Sequence, residues 1–301
     1  MNHSGSIYNA ATTMPGKIVH YALQPLILVA VLAFWLRNPE TPAAYPMAIL
    51  AVQVLIGLLE RIMPARPHWL IGSRQMIINI SLVLLLTTAA SMVGVFYSEV
   101  LASPLSRIRL SFGMDIWPHH WPLAIQMFMV FLGSEFMWYW FHRAEHRWYP
   151  VWRLSGHGAH HSFKKLGALN FGLNHPLELF LLLLPSALIE LTFGVGVAAA
   201  GAGILVATQA SIAHANLDLN TKGIGWLFTT NRHHIHHHSV VMEESNTNYG
   251  CAAILWDRLF GTFADSRTAE VGTGPTEPGL MEKFLMPVRE PNDTAIAPQH
   301  S

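Results

Sequence analysis

The chain has 301 residues, of which 51% are hydrophobic and only 12% are charged, with 18 Lys and Arg balanced by 18 Asp and Glu. Soluble domains carry about 25% charged residues, so we expect a membrane protein, and the zero net charge gives no support for nucleic-acid binding. A single cysteine, Cys251, excludes an intrachain disulfide and a cysteine-based zinc site, whereas histidine is abundant at 18 copies.

Runs of about 20 apolar residues predict membrane-spanning helices. Four such runs come first, at residues 18–36, 45–59, 76–97 and 122–141. A longer apolar stretch at residues 176–213 is typical of a two-helix hairpin, with glycines at its centre where the chain would reverse.

The Lys and Arg residues are distributed unevenly between the loops. Arg61, Arg66 and Arg74 follow the second run, and five more basic residues follow residue 142, at Arg143, Arg147, Arg153, Lys164 and Lys165. The positive-inside rule then predicts a multi-pass protein with its N-terminus and the region after residue 142 on the cytoplasmic face. Residues 265–301 are rich in Pro, Gly, Thr and Glu, which predicts a flexible extension.

Most of the histidines form three clusters beyond the fourth run. The first is His142 and His146, whose i, i+4 spacing places both rings on one helical face. The second is His157, His160 and His161. The third allows two registers with the same spacing, His233/His236/His237 or His234/His237/His238. Two isolated histidines, His175 and His214, lie between the second and third clusters.

These clusters indicate metal binding. Several imidazoles on one face beside a bilayer are costly to desolvate and repel one another when protonated. A bound metal removes both costs, because neutral imidazole is the ligand. Imidazole suits zinc, copper, iron or nickel, and eight or more histidines are too many for one metal but about right for two. The spacing does not separate iron from zinc.

The boxes and their flanks resemble the fatty acid hydroxylase/sterol desaturase superfamily. Its ordered boxes, H-x3-4-H, H-x2-H-H and H-x2-H-H, correspond here to His142/His146, His157/His160/His161 and a box near His234/His237/His238. The flanking segments also agree, at His160-His-Ser, Asn174-His-Pro-Leu-Glu, His214-Ala-Asn and Asn248-Tyr-Gly, followed by residues 255–263. A histidine at position 236, where the family usually has another residue, leaves the register of the third box open, with His233 as a further candidate.

The resemblance implies an all-α, integral membrane helical bundle with a cytosolic helical cap that holds two metals, normally iron. It divides the chain into membrane-anchor helices (1–121), a catalytic region (122–264) and a tail (265–301). The implied reaction is O2-dependent hydroxylation, desaturation or ether-lipid oxidation of a lipid. The candidate ligands are His142, His146, His157, His160, His161, His175, His214, His233, His234, His237 and His238.

Supporting residues and partners follow from the same chemistry. Carboxylates should orient the ring nitrogens, and Glu145, Glu178 and Asp218 are the candidates. Trp138 and Tyr139 could line a lipid cavity or belong to an interfacial aromatic belt.

Since no haem, flavin or dinucleotide signature is present, two electrons must come from a separate donor: a cytochrome, a ferredoxin with its reductase, or a pterin.

Two other functions remain open on the sequence. Residues 142–146 match H-x-x-E-H, the motif of an intramembrane zinc metalloprotease with Glu145 as general base. A histidine-rich metal carrier or haem-binding membrane protein is the second, although a carrier would place its ligands within the spans.

Overall fold

The computed structural model describes residues 13–289, and within this range the chain is helical and forms no β-strand. The twelve α-helices are α1 (Met14–Arg37), α2 (Ala44–Ile62), α3 (Ser73–Ser111), α4 (Leu123–Arg147), α5 (Tyr149–Ser155), α6 (His157–His161), α7 (Glu178–Phe193), α8 (Val197–His214), α9 (Asn231–His237), α10 (Met242–Ser245), α11 (Leu255–Phe260) and α12 (Leu280–Leu285). Short 3-10 turns lie at Pro67–Trp69, Ala168–Gly172 and Ile224–Trp226.

Four of the described helices are long and apolar enough to cross a membrane: α1, α2, α3 and α8. The first three confirm the first three predicted apolar helices. Helix α4 covers the fourth predicted run, residues 122–141, but it is not among these four helices, and it carries buried Gln126, Ser134 and Glu135. Glu135 accepts hydrogen bonds from the backbone of Ala252 (2.9 Å) and Ala253 (3.0 Å), so this part of α4 holds a later loop.

Helix α3 extends well beyond the predicted run. Its 39 residues span about 58 Å at 1.5 Å per residue, against a hydrocarbon core of about 30 Å. Its outward side chains are apolar and exposed, including Leu84 (65%), Leu85 (64%) and Met92 (69%). Such a surface requires lipid as its solvent.

The predicted hairpin is formed by α7 and α8, and the chain reverses between them. Gly194 (φ 66°) and Gly196 (φ 63°) both adopt left-handed backbone angles, which favour glycine. Helix α8 then runs through the centre of the molecule, packed against α1, α2 and α4. It delivers His214 to the end of the bundle where α4 delivers His142 and His146.

A helical layer covers that end of the bundle. The backbone N–H of Asn220 donates to His20 O (2.8 Å) near the start of α1, and that of Ala65, just after α2, donates to Asn216 O (3.0 Å). Glu60, at the end of α2, accepts from the backbone of Ala168 (2.9 Å) and Asn216 (2.8 Å). The spans are therefore fastened to the layer that contains the histidines.

Part of the predicted flexible extension packs against this layer. Phe284 O, in α12, lies 3.0 Å from Nε2 of His175, and Arg153 Nε donates to Pro287 O (3.2 Å). Contacts of this kind hold part of residues 265–289 against the body. Residues 1–12 of the predicted anchor region and 290–301 of the predicted tail lie outside the described part of the chain.

Close packing of α8 predicts a difference between two of its glycines. A Cβ at Gly201 would lie 2.5 Å from Nε1 of Trp35 and 2.7 Å from Cε of Met127, whereas at Gly203 its nearest neighbour, in Tyr45, would be 3.5 Å away. We expect Gly201→Ala to destabilise the protein by about 1–3 kcal/mol through overpacking, measured by thermal unfolding in detergent.

Gly203→Ala is the matched control on the same helix. It should be neutral or stabilising by up to about 1 kcal/mol, because alanine is the better helix former. Equal unfolding temperatures for the two variants would contradict the packing described for α8.

Candidate dimetal site

The first two histidine clusters are placed by the end of α4 and by the short helix α6. His142 and His146 lie one above the other on the last turns of α4. Gly156 joins α5 to α6 with a left-handed φ of 75°, and a Cβ there would clash with the ring of His175. Only glycine therefore fits at this junction, and it turns α6 so that its three histidines point inward.

The third cluster is placed by α9. The side-chain Nδ2 of Asn231, the first residue of α9, donates to the carbonyls of Ala215 (2.9 Å) and Leu217 (2.5 Å), just after α8. These bonds fix α9 against the end of α8. His234, His237 and His238 consequently face the histidines of α4, α6 and α8.

Nine of the eleven predicted ligands come together in two groups. In each group the candidate ligand atoms all lie within 4.8 Å of one another. The five-histidine group is His142, His146, His157, His161 and His237, and the four-histidine group is His160, His214, His234 and His238. The groups adjoin, since the rings of His161 and His238 stack with centroids 4.3 Å apart.

Distances within the groups suit metal coordination. In the first group, Nε2 of His142 is 3.0 Å from that of His157 and 3.1 Å from that of His237. In the second, Nε2 of His214 is 3.2 Å from that of His160 and 3.0 Å from that of His234. Two nitrogen ligands about 2.1 Å from one metal and about 90–100° apart lie about 3.0–3.2 Å from each other.

The tautomers are fixed by hydrogen bonds on the far side of the rings. Nδ1 of His142 lies 2.6 Å from Tyr249 O, and Nδ1 of His237 lies 2.8 Å from Thr247 O. A carbonyl only accepts, so each Nδ1 carries the proton and each Nε2 presents a lone pair. Two lone pairs 3.1 Å apart repel unless a cation lies between them. His214 is oriented likewise by Ala210 O, at 2.8 Å. The donor set therefore fits a bound metal.

A buried carboxylate orients a further ligand candidate. Oε1 of Glu178 lies 2.7 Å from Nδ1 of His157, and Oε2 of Glu145 lies 3.8 Å from the same nitrogen. Both carboxylates are buried behind the ring, opposite Nε2. Asp218 does not join them, because it lies beside His20 at 3.4 Å, at the start of α1.

His175 and His233 lie outside the two groups. His175 accepts the backbone N–H of Leu177 at Nδ1 (3.1 Å), and its Nε2 lies against Phe284 O, so it holds loops together. His233 points toward Asp265, with Nε2 3.7 Å from its carboxylate. The structure thus places the register His234/His237/His238 in the groups, while His236 lies 2.7 Å from the hydroxyl of Thr268.

The two aromatic candidates have different surroundings. The ring of Trp138 stacks on His142 with centroids 5.2 Å apart and is 6% exposed, so it covers the first group. Tyr139 is fully buried, and its hydroxyl lies 3.0 Å from that of Thr262 and accepts from Arg143 (3.1 Å). Trp138 borders the site, whereas Tyr139 fastens α4 to the loop after α11.

Three comparisons with known proteins bear on this arrangement. The sequence model of the family Fatty acid hydroxylase matches residues 127–262. Ornithine lipid hydroxylase OlsE of Rhizobium tropici is 29% identical over 283 residues, covering 88% of this chain and 82% of that protein. No solved structure matches the chain.

More distant similarity extends to animal enzymes. Alkylglycerol monooxygenase of Xenopus tropicalis is 30% identical over 56% of this chain, and that of Homo sapiens 27% over 57%. The matched parts cover only 37% and 39% of those proteins. The region at residues 127–262 belongs to the fatty acid hydroxylase family. The family match includes both α4 histidines, all of α6 and all of α9.

Burial controls the protonation of the grouped histidines. It lowers the pKa of His157, His161 and His237 well below the ordinary value of 6.5, and neighbouring histidines lower it further. Burial also lowers the pKa of His160 to about 4. The rings are therefore neutral at pH 7, as metal ligands must be.

Acidification should consequently destabilise the metal-free protein. The unfolded chain binds protons at its histidines near pH 6.5, whereas the folded protein binds them only at lower pH, for His160 at about 4. The contribution of these neutral histidines to the free energy of unfolding is thus fully present above about pH 6.5 and is lost as the pH falls toward 4. Thermal unfolding in detergent between pH 7 and 5 would measure this loss, and an unchanged unfolding temperature would contradict it.

The contact between Glu178 and His157 predicts a second effect. Glu178→Gln replaces the accepting carboxylate with a neutral amide, and we expect metal affinity to fall about 10- to 100-fold. The measurement is metal retained after a chelator challenge of the purified protein. Asp218→Asn is the control, since Asp218 lies by His20, and it should retain metal like the wild type. Equal loss in both variants would contradict the orienting role of Glu178.

Proposed function

We propose that this protein is a membrane-bound, histidine-ligated di-iron oxygenase that hydroxylates a lipid. The observation that carries the proposal is the pair of adjoining imidazole groups, whose members are at most 6% exposed. Proteins similar to this chain include an ornithine lipid hydroxylase and alkylglycerol monooxygenases, so hydroxylation is favoured over desaturation.

The donor set supports two metal ions and favours iron. Nine neutral imidazoles offer no thiolate, and structural zinc is almost always four-coordinate, whereas one group here offers five nitrogens. Zinc has no redox chemistry, but oxidation of a C–H bond requires a redox-active centre. When bound, two irons would supply the activation of O2 for attack on an unactivated C–H bond.

The protein's own residues would bind the metal ions, orient the imidazole ligands and exclude water from the site. The nine histidines would bind the two ions, Glu178 would orient His157, and backbone carbonyls would orient His142, His214 and His237. Burial of the site would keep water from competing with the lipid.

The overall reaction needs electrons that the chain does not carry. Hydroxylation converts R–H, O2, two protons and two electrons into R–OH and water. The sequence carries no haem, flavin or dinucleotide-binding signature. We infer that a separate donor, namely a cytochrome, a ferredoxin with its reductase, or a pterin, supplies both electrons.

Charge distribution supports a cytoplasmic location for the histidine layer. Arg61, Arg66 and Arg74 lie in or near the α2–α3 connection, at the end of the bundle that bears the histidines. The connection after α1 carries only Arg37. By the positive-inside rule, this distribution supports a multi-pass protein with the histidines on the cytoplasmic face.

The placement of Glu145 argues against the metalloprotease alternative. A general base must lie beside the open position of the metal. Oε2 of Glu145 instead lies behind His157, near Nδ1 at 3.8 Å. A metal carrier or haem protein is also less consistent with two adjoining buried groups gathered at one end of the bundle.

Metal analysis of the purified full-length protein tests the proposal. We expect about two irons per chain in the wild type. His157→Ala should lose at least one of them, because His157 belongs to the five-histidine group and contacts Nε2 of His142 and His146. With an added reductant and O2, lipid extracts should contain a product heavier by one oxygen atom, detected by mass spectrometry with 18O2.

His68→Ala is the control, because His68 is an exposed loop histidine. It should keep the metal and the product. One zinc per chain that survives His157→Ala would overturn the di-iron proposal, as would iron-loaded protein whose lipid product takes its oxygen from water.

A further inference from the structure

A cavity of about 350 Å³ lies beside the histidine layer and outside both imidazole groups. It is bordered by the start of α1, the loop after α2, the loop after α8 and the loop after α11. Leu217, Asn231 and Ile235 form the wall nearest the histidines of α8 and α9.

The lining of this cavity is strongly basic. Arg66, Lys222, Arg232 and Arg267 line it, against the single carboxylate of Asp218. Arg232 is paired with Asp265 at 3.0 Å, and Asp218 lies beside His20. Within residues 13–289, no ion pair joins Arg66, Lys222 or Arg267 to a carboxylate. Among the described residues that line the cavity, four cationic side chains thus face one carboxylate.

Arg66 is a fixed part of the wall. It is only 9% exposed, and its guanidinium lies 4.4 Å over the ring of Trp69. Nη2 donates to Thr268 O (3.2 Å), and the backbone is held at both ends by Asn216. A guanidinium fixed in this way is pre-organised to donate to an oxyanion.

Arg267 adds a like charge next to this buried cation. Burial lowers the pKa of Arg66, and the positive charge of Arg267 lowers it further. Two cations held close together repel each other, and a bound anion would relieve that repulsion.

The cavity lies at the depth of lipid headgroups. Two of its lining residues, His20 and Tyr21, are on the second turn of α1, and Arg66 follows the end of α2 by four residues. Apolar side chains at the same level are exposed, at Ile18 (57%), Tyr21 (58%) and Ile62 (73%). These residues mark where the apolar spans end and the polar layer begins.

We propose that this cavity binds the phosphate or carboxylate group of an anionic membrane lipid, with Arg66 and Arg267 as its direct contacts. The lipid tails would lie along the exposed apolar side chains at the ends of α1 and α2. A lipid is favoured over an acidic protein, because only a small group that enters the cavity can reach the buried guanidinium of Arg66. The site does not depend on the oxidation chemistry, and its test needs no turnover.

Native mass spectrometry of the full-length protein in a neutral detergent tests the site. The probes are dioleoylphosphatidylglycerol, dioleoylglycerol (which lacks the anionic headgroup) and inorganic phosphate. We expect the phosphatidylglycerol to bind at least about tenfold more tightly than dioleoylglycerol, and Arg267→Gln to weaken it about tenfold, from the strength of charge-assisted hydrogen bonds.

Arg74→Gln is the matched control, because Arg74 is an exposed cation at the start of α3, on the same end of the bundle and outside the cavity lining. It should bind the phosphatidylglycerol like the wild type. Arg66→Gln should weaken binding at least as much as Arg267→Gln, and its unfolding temperature distinguishes lost binding from lost folding.

Three results would overturn the proposal. If Arg267→Gln and Arg74→Gln weaken phosphatidylglycerol binding equally, the lipid is attracted by the general charge of the surface and not by this cavity. Binding of inorganic phosphate without preference for phosphatidylglycerol over dioleoylglycerol would show a site for a free anion. Unchanged lipid binding in Arg267→Gln and Arg66→Gln, with weaker binding of an acidic electron-donor protein, would show a protein-docking surface.

Discussion

The lone pairs of nine buried imidazoles converge at one end of a helical bundle, and much of the structure serves to hold them there. Backbone carbonyls fix the proton of His142, His214 and His237 on the outer nitrogen, so their inner nitrogens face one another. Such an arrangement is repulsive in itself and becomes favourable with cations between the nitrogens. The membrane helices, the short helices and the loops supply the rigidity that keeps it in place.

That rigidity comes from specific polar contacts between the spans and the histidine layer. Glu60 joins α2 to the segments around Ala168 and Asn216, and Glu135 joins α4 to the loop at Ala252. Each carboxylate accepts hydrogen bonds from two backbone N–H groups. These N–H groups therefore have hydrogen-bond partners although no helix or strand supplies them. The basic cavity beside Arg66 lies in the same zone, where charged groups meet the ends of apolar helices.

The sequence predicted those features that depend on local pattern. Helical spacing identified the rings that share a face, and apolar runs identified α1, α2, α3 and the α7–α8 hairpin. The flanking segments placed His214 among the candidates, whereas the register of the third box stayed open between His233 and His234. The sequence could not separate His175 from His214, because both are isolated histidines whose roles depend on which loop folds beside them. Nor could it identify the carbonyls of Thr247 and Ala210, since a backbone acceptor has no side-chain signature.

The distribution of the nine imidazoles along the chain has a consequence for assembly. Helix α4 contributes the first two histidines, α9 and the residue after it contribute the last three, and α8, itself a candidate span, comes between them. The two proposed metal ions could therefore bind the growing chain with all nine imidazoles only after α8 is in place and residue 238 has been synthesised. If the metals bind as proposed, they would close a ring of about 97 residues between His142 and His238, in the manner of a late cross-link.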